Sequence, residues 1–387
     1  MAQRNRVLAL LALAELLGMS VWFSASALAP QLERAWALTP SQTGWLTATV
    51  QLGFVAGTAI AALLNLADLV PMRVYFALAA LAAAACNLAL LAAGGFAPAL
   101  LTRFGTGFFL AGVYPPAMKM IATWYQDARG FAIGTIVGAL TVGKAMPYLV
   151  HGLERAGAAP VVLGASGAAA LAGLLVLAAY RDGPHAFERR PFAWGLVGSV
   201  LRHRETRLAI GGYLGHMWEL YAMWTWIAVF LAAGAGFGPR AADVGGFAAI
   251  AVGGAGCVIG GRLADRYGRE RLTIWAMALS GACAAVIGLG AVSPGLALAV
   301  ALVWGFTVVA DSAQFSALVT ELAPAHAVGT ALTLQTSLGF LLTMVSIQLV
   351  PRLVTGVGWR WAFVALAVGP LFGIAAMRRL RRARGAL

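Results

Sequence analysis

Apolar stretches of about twenty residues return from one end of this chain to the other, and that feature alone removes most folds from consideration. A helix rises about 1.5 Å per residue, so a run of that length matches the hydrocarbon thickness of a bilayer. A water-soluble chain carries about 25% charged residues, whereas only 11% are charged here, too few to clothe such a surface. Hydropathy places twelve apolar segments, the first at 7–30 and the last at 358–378. With no water in the hydrocarbon, each must satisfy its own backbone hydrogen bonds, so each is expected to be a helix. The fold class predicted is an all-α membrane protein with twelve transmembrane helices.

The net charge of +13 would point to nucleic acid in a soluble protein. Here its distribution argues for topology instead. The connections on the side of the termini hold nineteen of the 27 cations, and the opposite side holds five, Arg34, Arg155, Arg240, Arg352 and Arg360. That bias predicts both termini in the cytoplasm, in a bacterial inner membrane, with lipid and not nucleic acid as the surrounding partner. Arg4 and Arg6, an apolar run and the "ASA" of Ala25–Ala27 have the outline of a cleavable leader. Glu15 interrupts that apolar run and similar segments follow, so it reads as the first membrane helix.

The longest polar connection, with "RDGPHAFERRP" and "RHRETR", separates six spans from six. It divides the chain into an N-terminal bundle at 1–180, a cytoplasmic linker at 181–206 and a C-terminal bundle at 207–387. The halves look duplicated. "LAD" at Leu66–Asp68 returns at Leu263–Asp265 and "LG" at Leu17–Gly18 returns at Leu214–Gly215, both at an offset of 197. "IGT" at Ile133–Thr135 is echoed by "VGT" at Val328–Thr330, an offset of 195. Matches at one spacing in equivalent spans are expected of two pseudo-symmetric six-helix bundles.

"GGRLADRYGRERL", Gly260–Leu272, resembles the cytoplasmic-loop signature of the major facilitator superfamily. A degraded first-half copy, "NLADLVPMR", keeps Asp68 and Arg73 but lacks the glycines. Arg103, Gly107 and Gly112 in "RFGTGFFLAGVYPPAMKMIATWY" follow the span-four pattern of the same family. The resemblance implies a secondary transporter working as a monomer on a small-molecule substrate, with Asp68, Arg73, Asp265, Arg266 and Arg269 latching helix ends in one transport state. "YPPAMKMIATWYQDARGFAIG", Tyr114–Gly134, is similar to members that carry organic or inorganic anions. No arginine lies deep in spans two and eight, unlike nitrate porters, and "GALTVGKAMPYL" only loosely approaches the span-five motif of drug/proton antiporters.

Charged side chains at membrane depth cost about 2.5–3.5 kcal/mol each on insertion scales, so each asks for a reason. The chain has 25 arginines and only two lysines, Lys119 and Lys144, both within apolar segments. Lys144, in "TVGKAMPYLV", lies about seven residues from the nearer end of its span, roughly 10 Å, which is far for snorkelling. It either holds an anionic substrate group or pairs with Glu219 or Asp311. Lys119 lies nearer a helix end, where it either snorkels or contacts substrate. Glu219 and His216, three apart in "GHMWELYAMWTW", share a helix face and are candidates for carrying a proton, or else pin their span to a neighbour. Asp311 and Gln314 share a face in the same way: Asp311 is a counter-ion or a second proton carrier, Gln314 a substrate contact. Glu15 is a further proton candidate. Arg103 either contacts substrate or binds backbone or a carboxylate. Trp22 and Tyr114 are placed in the cavity, Tyr114 because Pro115 and Pro116 free backbone carbonyls beside it.

Gly130, Gly134 and Gly138, and Gly253, Gly256 and Gly260, give small helix faces suited to close contact. Cys86, Cys257 and Cys283 lie inside apolar spans without metal-ligand spacing. No P-loop, zinc motif or nucleophile elbow is present, so no enzyme activity and no cofactor or metal is expected. The sequence predicts an alternating-access carrier of a small organic anion, coupled to protons. A proton-driven exporter of cationic or amphipathic compounds is the alternative, and a non-transporting membrane sensor is a second.

Overall fold

The computed structural model describes residues 2–64, 66–125, 128–154, 157–185, 193–290 and 293–385. The side chains of Ala2, Ala67, Asp68, Arg129, Glu154 and Gly290 lie outside the described set, and with them the latch assigned to Asp68. Part of the expected linker, 186–192, lies outside it as well. The described chain is helical, with no strand.

Among the described residues, ten helical segments are long and apolar enough to cross a membrane. They supply spans two to six and eight to twelve. The other two, spans one and seven, carry charged residues along their length. Span one, Ala2–Met19 followed after a break by Ser24–Ala27, contains Arg4, Arg6 and Glu15. Span seven, Arg204–Ala233, is a continuous helix rich in buried tyrosine and tryptophan with His216 and Glu219 among them. Local signals set several starts. Thr39 and Gln42 form a capping box before Pro40 at the head of span two, and the His203 side chain accepts from the Thr206 amide at the head of span seven. A short helix within the linker region, Trp194–Arg202, was not anticipated from the sequence.

The two halves repeat one packing scheme. Span two lies on four as eight lies on ten, three on six as nine on twelve, and one on five as seven on eleven. The interruptions repeat too. Span four breaks between Phe96–Leu110 and Tyr114–Ala122, and span ten between Pro294–Val308 and Ser312–Leu322, an offset of 198. Spans five and eleven each hold a proline toward the end away from the termini, Pro147 and Pro351, although not at the repeat offset. These are two pseudo-symmetric six-helix bundles.

Spans five and eight form the largest contact between the bundles, and spans two and eleven the next. Bare backbone makes the first one close. A Cβ added to Gly138 would stand 2.7 Å from the Gly254 carbonyl oxygen, and one on Gly134 2.8 Å from that of Cys257. The expected Gly253, Gly256 and Gly260 face turns inward to span ten, against Gly305, Phe306 and Ala310. The face one residue further on, Gly254, Cys257 and Gly261, meets span five.

Candidate functional site

Between the bundles lies a cavity of about 50 Å³. Span five contributes Val137, Leu140, Thr141 and Lys144, and span seven contributes Tyr213, Met217, Leu220, Tyr221 and Trp224. Both sets step by three or four residues, so one face of each helix looks inward. Tyr114 stands at the break in span four, and Val309, Ser312 and Ser316 flank the break in span ten. Thr336 and Phe340 of span eleven complete the wall. Most of these residues lie between Lys144 and the side of the termini, the side to which the partly exposed Tyr114, Ser316 and Thr336 also belong.

Lys144 sits at the closed end, 4% exposed. Its ammonium donates to the Tyr221 hydroxyl at 2.5 Å and lies 4.0 Å from the Trp22 ring centre, 4.9 Å from that of Tyr221 and 5.5 Å from that of Trp224. Aromatic faces attract a cation through the ring quadrupole and need no counter-charge to do so. Pairing with Glu219 or Asp311, one expectation from the sequence, is not what the structure shows. Among the described residues no carboxylate lies within ion-pair distance of Lys144. Glu15 is the carboxylate near enough to couple to it electrostatically, because Gly143 lets span one approach until a Cβ there would overlap the Leu16 carbonyl. Glu15 is fully buried, and neither of its carboxylate oxygens has a hydrogen-bond partner.

Several expected site residues lie elsewhere. Arg103 does not face the cavity. It is fully buried, donates at 3.1 Å to Ser24 Oγ and 2.9 Å to Asn87 Oδ1, and holds the carbonyls of Val21 and Trp22. The break in span one leaves those carbonyls without helical partners, and the guanidinium replaces them. Arg103 thereby positions Trp22 over Lys144. Trp22 itself is not part of the cavity lining but roofs the ammonium. Glu219 is also turned away, its carboxylate accepting from Ser280 Oγ at 2.8 Å and Trp304 Nε1 at 2.6 Å. That ties spans seven, nine and ten together within the second bundle. Gln314 accepts from Arg269 at 2.6 Å and is not in the lining. Lys119, half-buried on the Tyr114–Ala122 helix, is not in it either.

His216 Nδ1 lies 2.9 Å from Asp311 Oδ1, both side chains buried, at the break in span ten. Of the remaining latch residues, Asp265 reaches across the bundles to Gly130 near the start of span five, where a carboxylate meets the positive end of a helix. Arg269 pairs with Glu321 at 2.9 Å, Arg266 lies over the Tyr267 ring, and Arg73 is exposed at the start of span three.

The side away from the termini is shut by contacts that the sequence reading missed. Trp22 and Phe54 of the first bundle pack on Tyr221 and Phe340 of the second, Phe54 and Phe340 with ring centres 4.7 Å apart. Further out, Ser41 Oγ donates to Gln348 Oε1 at 2.8 Å. His151 Nδ1 lies 2.7 Å from Asp243 Oδ2, and Gln31 Nε2 lies 2.9 Å from His151 Nε2. With Nδ1–H donating to Asp243, Nε2 accepts from the Gln31 amide. One signal was available for His151: seven residues after Lys144, it shares that residue's helix face.

The sequence matches the family model of the Major Facilitator Superfamily over residues 10–347. No curated protein matches it. Among solved structures it is similar to a bacterial homolog of the human lysosomal transporter Spinster in an inward-facing and unoccupied conformation, with TM-score 0.73, 17% identity, and 98% of each chain covered. The occupied inward-facing form of that homolog gives TM-score 0.71 and 18% identity, covering 98% of this chain and 97% of that one. A mutant of the nucleoside transporter NupG gives TM-score 0.72 and 14% identity, covering 97% of this chain and 99% of that one. At such identities the likeness shows the fold, while the family match covers most of the chain. The protein belongs to the Major Facilitator Superfamily and is a multi-pass membrane transporter.

Proposed function

We propose that this transporter carries a small organic anion across the bacterial inner membrane by alternating access, driven by co-transported protons, as a monomer with both termini in the cytoplasm. The two halves, 1–180 and 207–387, rock about the cavity and are joined by the linker 181–206. The observation that carries the reading is the Lys144 ammonium, buried at the end of the cavity and held, among the described residues, by a hydroxyl and three aromatic faces. A buried charge without a counter-ion is costly, and a bound anion supplies what the protein leaves out.

Glu15 takes the proton in this scheme. Its carboxylate is close enough to the ammonium to couple to it electrostatically yet has no hydrogen-bond partner, and burial disfavours an unpaired charge. With Glu15 neutral, Lys144 is free to hold the anion; with the anion gone, an ionised Glu15 balances Lys144. The empty and the doubly loaded carriers thus both avoid an unpaired charge while changing state. His216 and Asp311 are placed to serve as a second proton site.

Flux measured in proteoliposomes tests this. Lys144→Ala is expected to abolish anion uptake, and Glu15→Gln to leave anion exchange while removing acceleration by an inward proton gradient. Unchanged uptake and pH dependence in Lys144→Ala would sink the assignment. Export of cations, the competing reading, requires organic cations to be carried and Lys144→Ala to leave their flux intact.

A further inference from the structure

The charge count of the cavity says more about the substrate, on the footing of the anion reading above. We infer that the site is selective for monovalent anions, short monocarboxylates, and turns dianions away. Among the described residues that line the cavity, Lys144 is the one that carries a charge. The other walls are hydroxyls, Tyr114, Thr141, Tyr213, Tyr221, Ser312, Ser316 and Thr336, and apolar side chains. Of the other cations in or near the spans, Arg103 is committed to four acceptors in the first bundle, Arg269 to Gln314 and Glu321, and Lys119 stands outside the lining.

One carboxylate fits the closed end well. The Lys144 ammonium can donate to one oxygen. The Tyr221 hydroxyl accepts from Lys144, which leaves its own proton to donate to the other oxygen. A second carboxylate further along the same molecule would meet hydroxyls and apolar walls but no cation. Folded back toward Lys144, it would compete with the first carboxylate for a single ammonium, and the two negative ends would repel each other. With the carboxylate at the closed end, the tail runs through the rest of the cavity toward the hydroxyls on the side of the termini. The binding pattern is therefore one negative end and a neutral tail.

Binding to the purified full-length protein tests this, read as a rise in melting temperature with ligand concentration. Monocarboxylates from acetate to hexanoate would be set against dicarboxylates of matching length, malonate to adipate, near neutral pH. The best monocarboxylate is expected to half-saturate at a concentration at least about tenfold below that of its dicarboxylate partner, a gap of about 1.4 kcal/mol. Ser312→Lys, which places a second cation in the wall, should narrow or reverse that gap. Thr336→Arg repeats the test from span eleven if the first variant does not fold. Dicarboxylates binding as tightly as monocarboxylates, with Lys144→Ala abolishing both, would overturn the one-charge inference and leave the anion reading standing. No binding by either series, with Lys144→Ala melting like the parent, would overturn both.

Discussion

Arg103 and Glu219 look alike in a sequence, each a charge within an apolar span, yet neither faces the cavity. Hydropathy gives a residue's depth along the membrane normal but not its bearing around the bundle. Lys144 was legible because a lysine is out of character for this chain; the direction in which Arg103 points was not. The partners decide what removal costs. Arg103→Ala strands buried acceptors and the interrupted backbone of span one, with an expected loss of about 3 kcal/mol or more, and Arg103→Lys cannot span the same four groups. Glu219→Ala leaves the Trp304 N–H unpaired and the Ser280 hydroxyl with only the Met277 carbonyl, and should cost about 1–3 kcal/mol, with the coupling of transport to protons intact. Melting curves of the purified variants, beside flux at two pH values, check both. Tyr221→Phe removes the hydroxyl that holds the ammonium, an expected loss of about 1 kcal/mol, or roughly fivefold in anion affinity, readable in the same binding assay.

At the scale of the helix, the breaks matter as much as the spans. Pro115 and Pro116 announced the interruption of span four, but span ten breaks at the equivalent place with no proline to mark it. Only the duplication could have pointed there. Span five joins two functions on one face, Lys144 at the cavity and His151 at the outer clasp, with Pro147 between them. A proline in that position leaves one helical hydrogen bond unmade, so the clasp end can bend without dragging the ammonium. His151→Ala or Asp243→Ala removes the hydrogen bond between His151 and Asp243 across the bundles, one that opening on this side would break. At about 1 kcal/mol, the population open on that side should rise roughly fivefold. The rate at which a cysteine placed at Gln348 reacts with a membrane-impermeant thiol reagent reads that population, and an unchanged rate would show that the clasp holds nothing.

For the whole molecule, the architecture was readable in outline, since twelve apolar segments and repeated motifs already imply two related bundles. The way the bundles meet was not, because glycine faces lie on both sides of span eight and composition cannot tell which one turns to the other bundle. The structure places Gly138 and Gly254 backbone against backbone. Gly138→Leu is therefore expected to abolish flux by forcing spans five and eight apart, with membrane insertion unaffected; normal transport by that variant would mean the contact is not maintained through the cycle. The composition that singles out Lys144 also makes it chemically addressable. Across 387 residues only Lys119 and Lys144 carry a side-chain primary amine. A small amine-directed reagent therefore has almost nowhere else to react, and mass spectrometry of a single peptide can follow Lys144. Protection of that amine would report occupancy of the cavity directly, without a radiolabel and before the cargo has been identified.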